Sequence, residues 1–173
     1  MEIAIQLIEE EDSKLILGES HRYHIKPFDG LAVDKEALDF LKLDLNHPLR
    51  TAVEEELALQ DSFKIINKQR AKYECSRAIL VGHNAFFDHS FMIEACLRNN
   101  IKKSPFHSFS MIDTVSLGVL ATKQTVLAKI CKELDIDYDN DEAHSAAYDA
   151  MVTAKVFCKV INDFDDFNSP TKC

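Results

Sequence analysis

Apolar positions along the chain recur first every second residue and later every third or fourth. Ile3, Ile5 and Leu7 alternate with Ala4, Gln6 and Ile8, which predicts a strand with a second, less apolar face. Glu9 to Lys14 reads as a charged turn. Leu15 to Ile25 reads as one strand interrupted at Gly18, or two short ones, ending at Pro27. Asp34 is placed to cap a short helix with Leu38 and Leu41 on its apolar face and Phe40 beside them. Between Ala52 and Tyr73, Val53, Leu57, Phe63 and Ile66 predict a long helix. Ala78-Ile79-Leu80-Val81 is a short buried-strand run that Gly82 breaks, and Asn84 is a candidate N-cap for a helix over 85–98. Ser108 to Ile112 is a weak strand, followed by Asp113 as N-cap of a helix over 114–121. A helix over 125–134 packs through Leu127, Ile130, Cys131 and Leu134. Ala150, Ala154, Phe157, Cys158 and Ile161 then mark a last amphipathic helix. Antiparallel strands first and strand–helix alternation afterwards predict an α/β domain.

The chain has 173 residues, 46% of them hydrophobic, and contains no internal repeat or Pro/Gly/Ser-rich linker. One domain over 1–163 is expected, with 164–173 as an acidic, polar tail. No apolar run reaches the roughly 20 residues of a membrane helix, and Met1-Glu2 is not the start of a signal peptide, so the expected location is the cytoplasm. Cys75, Cys96, Cys131, Cys158 and Cys173 are odd in number and lack a Cys-x2-Cys pair, which argues against a disulfide framework or a thiolate zinc site. A formal charge of −9 disfavours broad electrostatic binding of nucleic acid. The distribution softens that: Lys64, Lys68, Arg70, Lys72 and Arg77 face one nearby acid in sequence, Glu74, and Lys102-Lys103 lie on the next connection. Such a stretch is either a solvated helix face or a phosphate contact.

Candidate chemistry gathers at two helix starts. Asp88 falls one turn into the helix that follows the 78–81 strand, near that strand's C-terminal end, where open α/β sheets build their sites. Asp149 falls in the first turns of the last helix, with His144 at or just before its start. Five residues along a helix turn through about 500°, roughly 140° off-face, so His144 and Asp149 converge only if His144 sits in the flank. Two hard oxygen ligands and a general base suit metal-assisted hydrolysis. The plainer alternative is that both aspartates answer the helix dipole and His144 is a flank residue. For Asp113, capping is favoured over catalysis.

The ordered pair His83-Asn84-x3-Asp88 and His144-x4-Asp149 resembles the second and third motifs of the DEDDh 3′→5′ exonucleases. Gly82-His83-Asn84-Ala85-Phe86-Phe87-Asp88-His89-Ser90-Phe91-Met92, Pro105-Phe106-His107-Ser108-Phe109, Gln124-Thr125-Val126-Leu127 and Ala143-His144-Ser145-Ala146 are similar, within that group, to the ribonuclease T family. The resemblance covers residues 1 to about 163. It implies an RNase H-like fold, a mixed sheet flanked by helices, and two Mg²⁺ or Mn²⁺ ions. Asp88 and Asp149 are then metal ligands, with His144 as general base. By the same resemblance Phe40, Phe87 and Phe109 stack terminal bases, although for Phe87 and Phe109 core packing is the alternative. Glu36 meets a base edge, and Arg77 and Lys102 match basic positions that grip RNA bound to a dimer partner. The implied partners are single-stranded RNA 3′ ends, with single-stranded DNA as a further substrate, and a second copy of the chain. The family's first motif, Asp-x-Glu on the first strand, has no counterpart here, because Met1-Glu2-Ile3-Ala4-Ile5 resembles the second strand. Asp34-Lys35-Glu36 falls in a predicted surface helix and does not replace it. The sheet is therefore expected to lack its first strand, and the chain alone to be inactive. A silent RNA-binding module and a proofreading-type DNA exonuclease are the alternative functions.

Overall fold

The computed structural model describes the chain except residues 29, 33, 35, 37, 39–43, 46, 48, 49, 144 and 169–173. Phe40 and His144 thus lie outside the described residues. A long antiparallel hairpin comes first, β1 (Glu2–Glu11) with β2 (Lys14–Ile25). The charged stretch expected as a turn is mostly strand. Only Asp12 and Ser13 turn, both at positive φ (49° and 62°), as a tight hairpin requires. Nor does Gly18 interrupt β2. The register slips between Gln6 and Ile8, and a Cβ on Gly18 would lie 2.6 Å from Glu9 Oε1, so the glycine leaves room for an acid crossing from β1.

The short strand β3 (Ala52–Val53) pairs in parallel with β2, so the long helix α1 (Glu55–Lys72) begins later than periodicity predicts. Its buried face runs through Leu59, Phe63 and Ile66, while Leu57, counted as apolar face in the sequence, is 46% exposed. Glu55 is buried at the helix start. There it accepts from Arg98 Nε and Nη2 at 3.1 and 2.8 Å and from Asn99 Nδ2 at 2.7 Å. Strand β4 (Ala78–Gly82) leads into α2 (Ala85–Arg98), and β5 (Phe106–Asp113), parallel to β4, leads into α3 (Thr114–Thr122). A short α4 (Leu127–Glu133) precedes α5, which runs unbroken from Ala146 to Asn168. Near its far end Asn162 exchanges two hydrogen bonds of 2.9 Å with the Leu15 backbone.

Among the described residues the strands form two sheets, β1-β2-β3 and β4-β5. One core cluster spans both: Leu59, Phe63 and Ile66 of α1 and Ala95 and Cys96 of α2 meet Ile3 and Ile5 of β1, Ala78 of β4 and Phe106 of β5. On the opposite side α5 lies against β1, β2 and β4, and its Val152 and Val156 pack with Ile130 and Cys131 of α4. The result is a helix–sheet–helix sandwich, an α/β arrangement consistent with the RNase H-like fold. Cys96, Cys131 and Cys158 are buried and unpaired, and burial raises the Cys131 thiol to about 11, as expected of small core residues.

Candidate active site

The end of β4 is shaped by what cannot fit there. A Cβ on Gly82 would come within 2.9 Å of Ala85 Cα and 3.3 Å of Asp88 Oδ2, so a bare backbone lets α2 begin tight against the strand end. Asn84 turns the chain in the left-handed conformation (φ 62°, ψ 49°) and, against expectation, its side chain makes no capping bond. Asp113, at the end of the neighbouring strand, does the capping for both helices. Its carboxylate accepts the N–H groups of Asn84 at 3.1 Å, Ala85 at 3.2 Å and Val115 at 2.9 Å. The expected cap role is therefore correct for α3 and extends to α2, which sequence spacing does not show. His83 completes the tie, with Nδ1 3.0 Å from Thr114 Oγ1 and Nε2 3.1 Å from the Thr125 carbonyl oxygen. Burial lowers the pKa of this imidazole. The Thr125 bond and the charges of Asp113 and Asp149 oppose that shift, so both acids lie within electrostatic reach of His83.

Asp88 occupies the first turn of α2. Loss of hydration raises its pKa above the ordinary carboxylate value, and the charge of Asp113 adds to this, against a lowering bond from its own backbone N–H. A raised carboxylate pKa means that the folded state holds a proton the unfolded chain has already lost. Stability therefore falls as pH rises from about 4, the unfolded value, through the folded pKa. Asp88→Asn is expected to raise the melting temperature at pH near 7 and to leave it unchanged near pH 3, as followed by thermal circular dichroism. A melting temperature lowered at neutral pH would show that the charge is stabilised by its surroundings.

Asp149 lies in the first turn of α5, half-buried, its N–H bonded to the Ser145 carbonyl at 2.9 Å. Glu2, with a side chain 15% exposed, accepts the Ala146 N–H at 3.1 Å and pairs with Arg22, so β1 caps the helix that carries Asp149. The signal was present in the second face of the first strand, Glu2-Ala4-Gln6, which α5 covers. Among the described residues, no group of three or more His, Cys, Asp or Glu is placed to hold a metal ion. Asp88 and Asp149 have the hard oxygen donors that Mg²⁺ or Mn²⁺ prefers, but in number they fall short of a cage.

The aromatic candidates that are described are surface residues. Phe87 is 57% and Phe109 80% exposed, which removes the core-packing alternative for both. Phe87 pairs with Phe91 at 4.7 Å between ring centroids, and Phe109 with His107 at 4.3 Å. Glu36 is exposed, its N–H bonded to Asp34 Oδ1 at 2.9 Å, as a capping aspartate would hold it. Of the basic stretch, Lys72 pairs with Glu9 at 2.8 Å and Lys64 with Asp61 at 3.0 Å, so acids distant in sequence as well as near ones neutralise part of it. Arg77 and Lys102 are exposed. They precede β4 and β5, and so stand at the end of the parallel pair opposite to Asp88. An open acidic recess lined by Asp137, Tyr138, Asp139, Asp141, Tyr148 and Lys155 contains none of these candidates.

The sequence model of the RNase_T exonuclease family matches residues 2–157. The chain belongs to the ribonuclease T exonuclease family. It is 48% identical over 160 residues to the ribonuclease T of Photobacterium profundum, covering 92% of this chain and 72% of that protein. It is likewise 48% identical over 159 residues to that of Marinobacter nauticus, with the same coverages. To that of Vibrio cholerae it is 44% identical over 162 residues, or 93% of this chain and 72% of the other. By membership it is a ribonuclease T-like 3′→5′ exoribonuclease, from a family generally dependent on divalent metal, with nucleic acid as substrate. No helix among the described residues is long and apolar enough to cross a membrane.

Proposed function

We propose that this ribonuclease T family member trims the 3′ ends of stable RNAs, tRNA and ribosomal RNA among them, in the cytoplasm and as a homodimer. The observation that carries the reading is the pairing, on one helix turn, of Asp88 at the end of β4 with the outward ring of Phe87 beside it. A carboxylate and a stacking surface side by side suit a single-stranded end held against a metal. Two Mg²⁺ or Mn²⁺ ions, when bound, supply an activated water and steady the leaving 3′ oxygen. Asp88 and Asp149 contribute oxygen ligands, and His144 takes the proton of the water, a task that fits an imidazole near neutral pH. Phe40, Phe87 and Phe109 hold bases by stacking, which tolerates sequence, and Glu36 contacts a base edge. Single-stranded DNA carries the same bases and phosphates and serves as a further substrate.

The dimer reading is supported by where the cations stand. Arg77 and Lys102 lie beyond the N-terminal ends of β4 and β5, and the five residues of β4 separate Arg77 from the Asp88 end by about 17 Å. From there they serve RNA that enters a partner's site better than RNA in their own. One further reading has an observation of its own: the shortage of metal ligands among the described residues favours a silent RNA-binding module for these residues alone.

Phe87→Ala tests the substrate side. It is expected to weaken binding of a short single-stranded RNA by about 1–3 kcal/mol for each stack lost, measured by fluorescence anisotropy without metal. Unchanged affinity would remove Phe87 from the RNA surface.

A further inference from the structure

We infer that His107 is a positioning residue for substrate, one that sets the ring of Phe109 in place for stacking. The inference rests on the reading of Phe109 as a base platform. Strand β5 does not run evenly beside β4. Ala78 faces Phe106, yet Leu80 faces Met111, so the partner strand carries an excursion over residues 107–110 between two regular pairs. Phe109 sits in that excursion and is the more exposed of the two described stacking candidates. An exposed phenylalanine on an excursion has no packing of its own to fix its direction, and ordering it only at the moment of binding carries an entropic penalty.

His107 removes that freedom in two ways. Its Nδ1 accepts the backbone N–H of Ser110 at 2.9 Å and, less directly, that of Phe109 at 3.4 Å. A side-chain acceptor that gathers N–H groups two and three residues ahead is the geometry with which Asn, Asp, Ser and Thr close turns and start helices. Here an imidazole takes that part, and it adds what the smaller residues lack. The His107 and Phe109 rings meet edge to face, centroids 4.3 Å apart and planes at 80°. At 80% exposed, Phe109 keeps ring surface open for a base beside that contact, and the two backbone bonds keep the excursion from collapsing back into the ladder. Because Nδ1 is the acceptor, the neutral ring carries its proton on Nε2.

The test is a double-substitution cycle read by RNA binding. The intact chain, His107→Ala, Phe109→Ala and the double variant are titrated without metal against a short 5′-labelled single-stranded RNA, and against the same RNA carrying 2-aminopurine near its 3′ end. Fluorescence quenching of 2-aminopurine reports stacking itself. Phe109→Ala is expected to weaken binding about 5- to 150-fold and to relieve quenching. His107→Ala is expected to reproduce most of that loss, and the double variant to lose no more than Phe109→Ala alone, since His107 acts through the ring. His107→Asn, which keeps the acceptor and discards the ring edge, is expected to recover part of the affinity; it also serves if His107→Ala does not fold. Full affinity and quenching in the His107 variants, beside a weakened Phe109→Ala, would overturn the role of His107 alone. Additive losses would do the same, by showing that His107 acts elsewhere. A Phe109→Ala protein that binds normally, or an unsubstituted chain that binds no RNA, would overturn the platform reading together with the inference.

Discussion

Given Mg²⁺ and single-stranded RNA, the 173-residue chain is expected to release no nucleotides, and the same chain extended by an in-frame strand bearing Asp-x-Glu is expected to trim 3′ ends. The described residues bring two aspartates to the helix starts, but among them no group of three or more His, Cys, Asp or Glu is placed to hold a metal ion. Groups that act as a unit fail as a unit, so loss of the other carboxylates should lower turnover by several orders of magnitude rather than by the worth of one hydrogen bond. Metal affinity follows the same logic. Calorimetry with Mn²⁺ should show weak binding to the chain as given and two tight sites in the extended protein. In the extended protein His144→Ala or Asp149→Asn should abolish turnover with the circular dichroism spectrum unchanged. Turnover by the unextended chain would send the search for a further ligand to Glu2. The structure gives Glu2 other work, because its carboxylate is engaged by the Ala146 N–H and by Arg22.

The sequence disclosed those parts of the fold whose causes are local. The β4–α2 unit was legible because an apolar run, a glycine and a helical period follow one another within about twenty residues, and Asp88 could be placed on it to the turn. Where a distant residue decides, the pattern misled. Gly18 reads as a break until Glu9 is seen to lie over it, held there by Lys72 and the Tyr73 hydroxyl at 2.8 Å each. Glu9 to Glu11 read as a turn because charge is common in turns, yet as part of a hairpin they pair backbone to backbone with Lys14 to Ile16. The site divides in the same way. Its aspartates were visible as helix-start residues, and their family pattern gave them roles. The support beneath them was not visible, since Glu2 reaches Ala146 across 144 positions and Asp113 reaches Asn84 across 29. Spacing motifs record what a helix turn brings together and are silent about which strand end caps it.

Asp113→Ala is expected to be among the most damaging single changes in this chain. The carboxylate accepts three backbone N–H groups at the starts of two helices, and alanine leaves all three without their acceptor. An N-cap alone is worth about 0.5–2 kcal/mol, and bonds to a charged acceptor contribute more than neutral ones, though water can replace part of the loss at exposed Asn84. A total of about 2–4 kcal/mol corresponds to a melting temperature lower by roughly 5–15 °C for a domain of this size. Asp113→Asn should fall between. Its one oxygen can keep the bonds to Asn84 and Val115 that Oδ1 makes, while its amide meets the Ala85 N–H donor to donor. The change should also reach the chemistry. Asp88 stands on the first turn that Asp113 anchors, and a misplacement of about 1 Å in a catalytic array can reduce turnover about 100-fold. In the extended, active protein Asp113→Asn is therefore expected to lower kcat far more than it raises KM, since Phe109, outside that turn, stays in place to bind RNA. Equal kcat with an unchanged melting temperature would mean that the left-handed turn at Asn84 and the close approach at Gly82 hold the start of α2 by themselves.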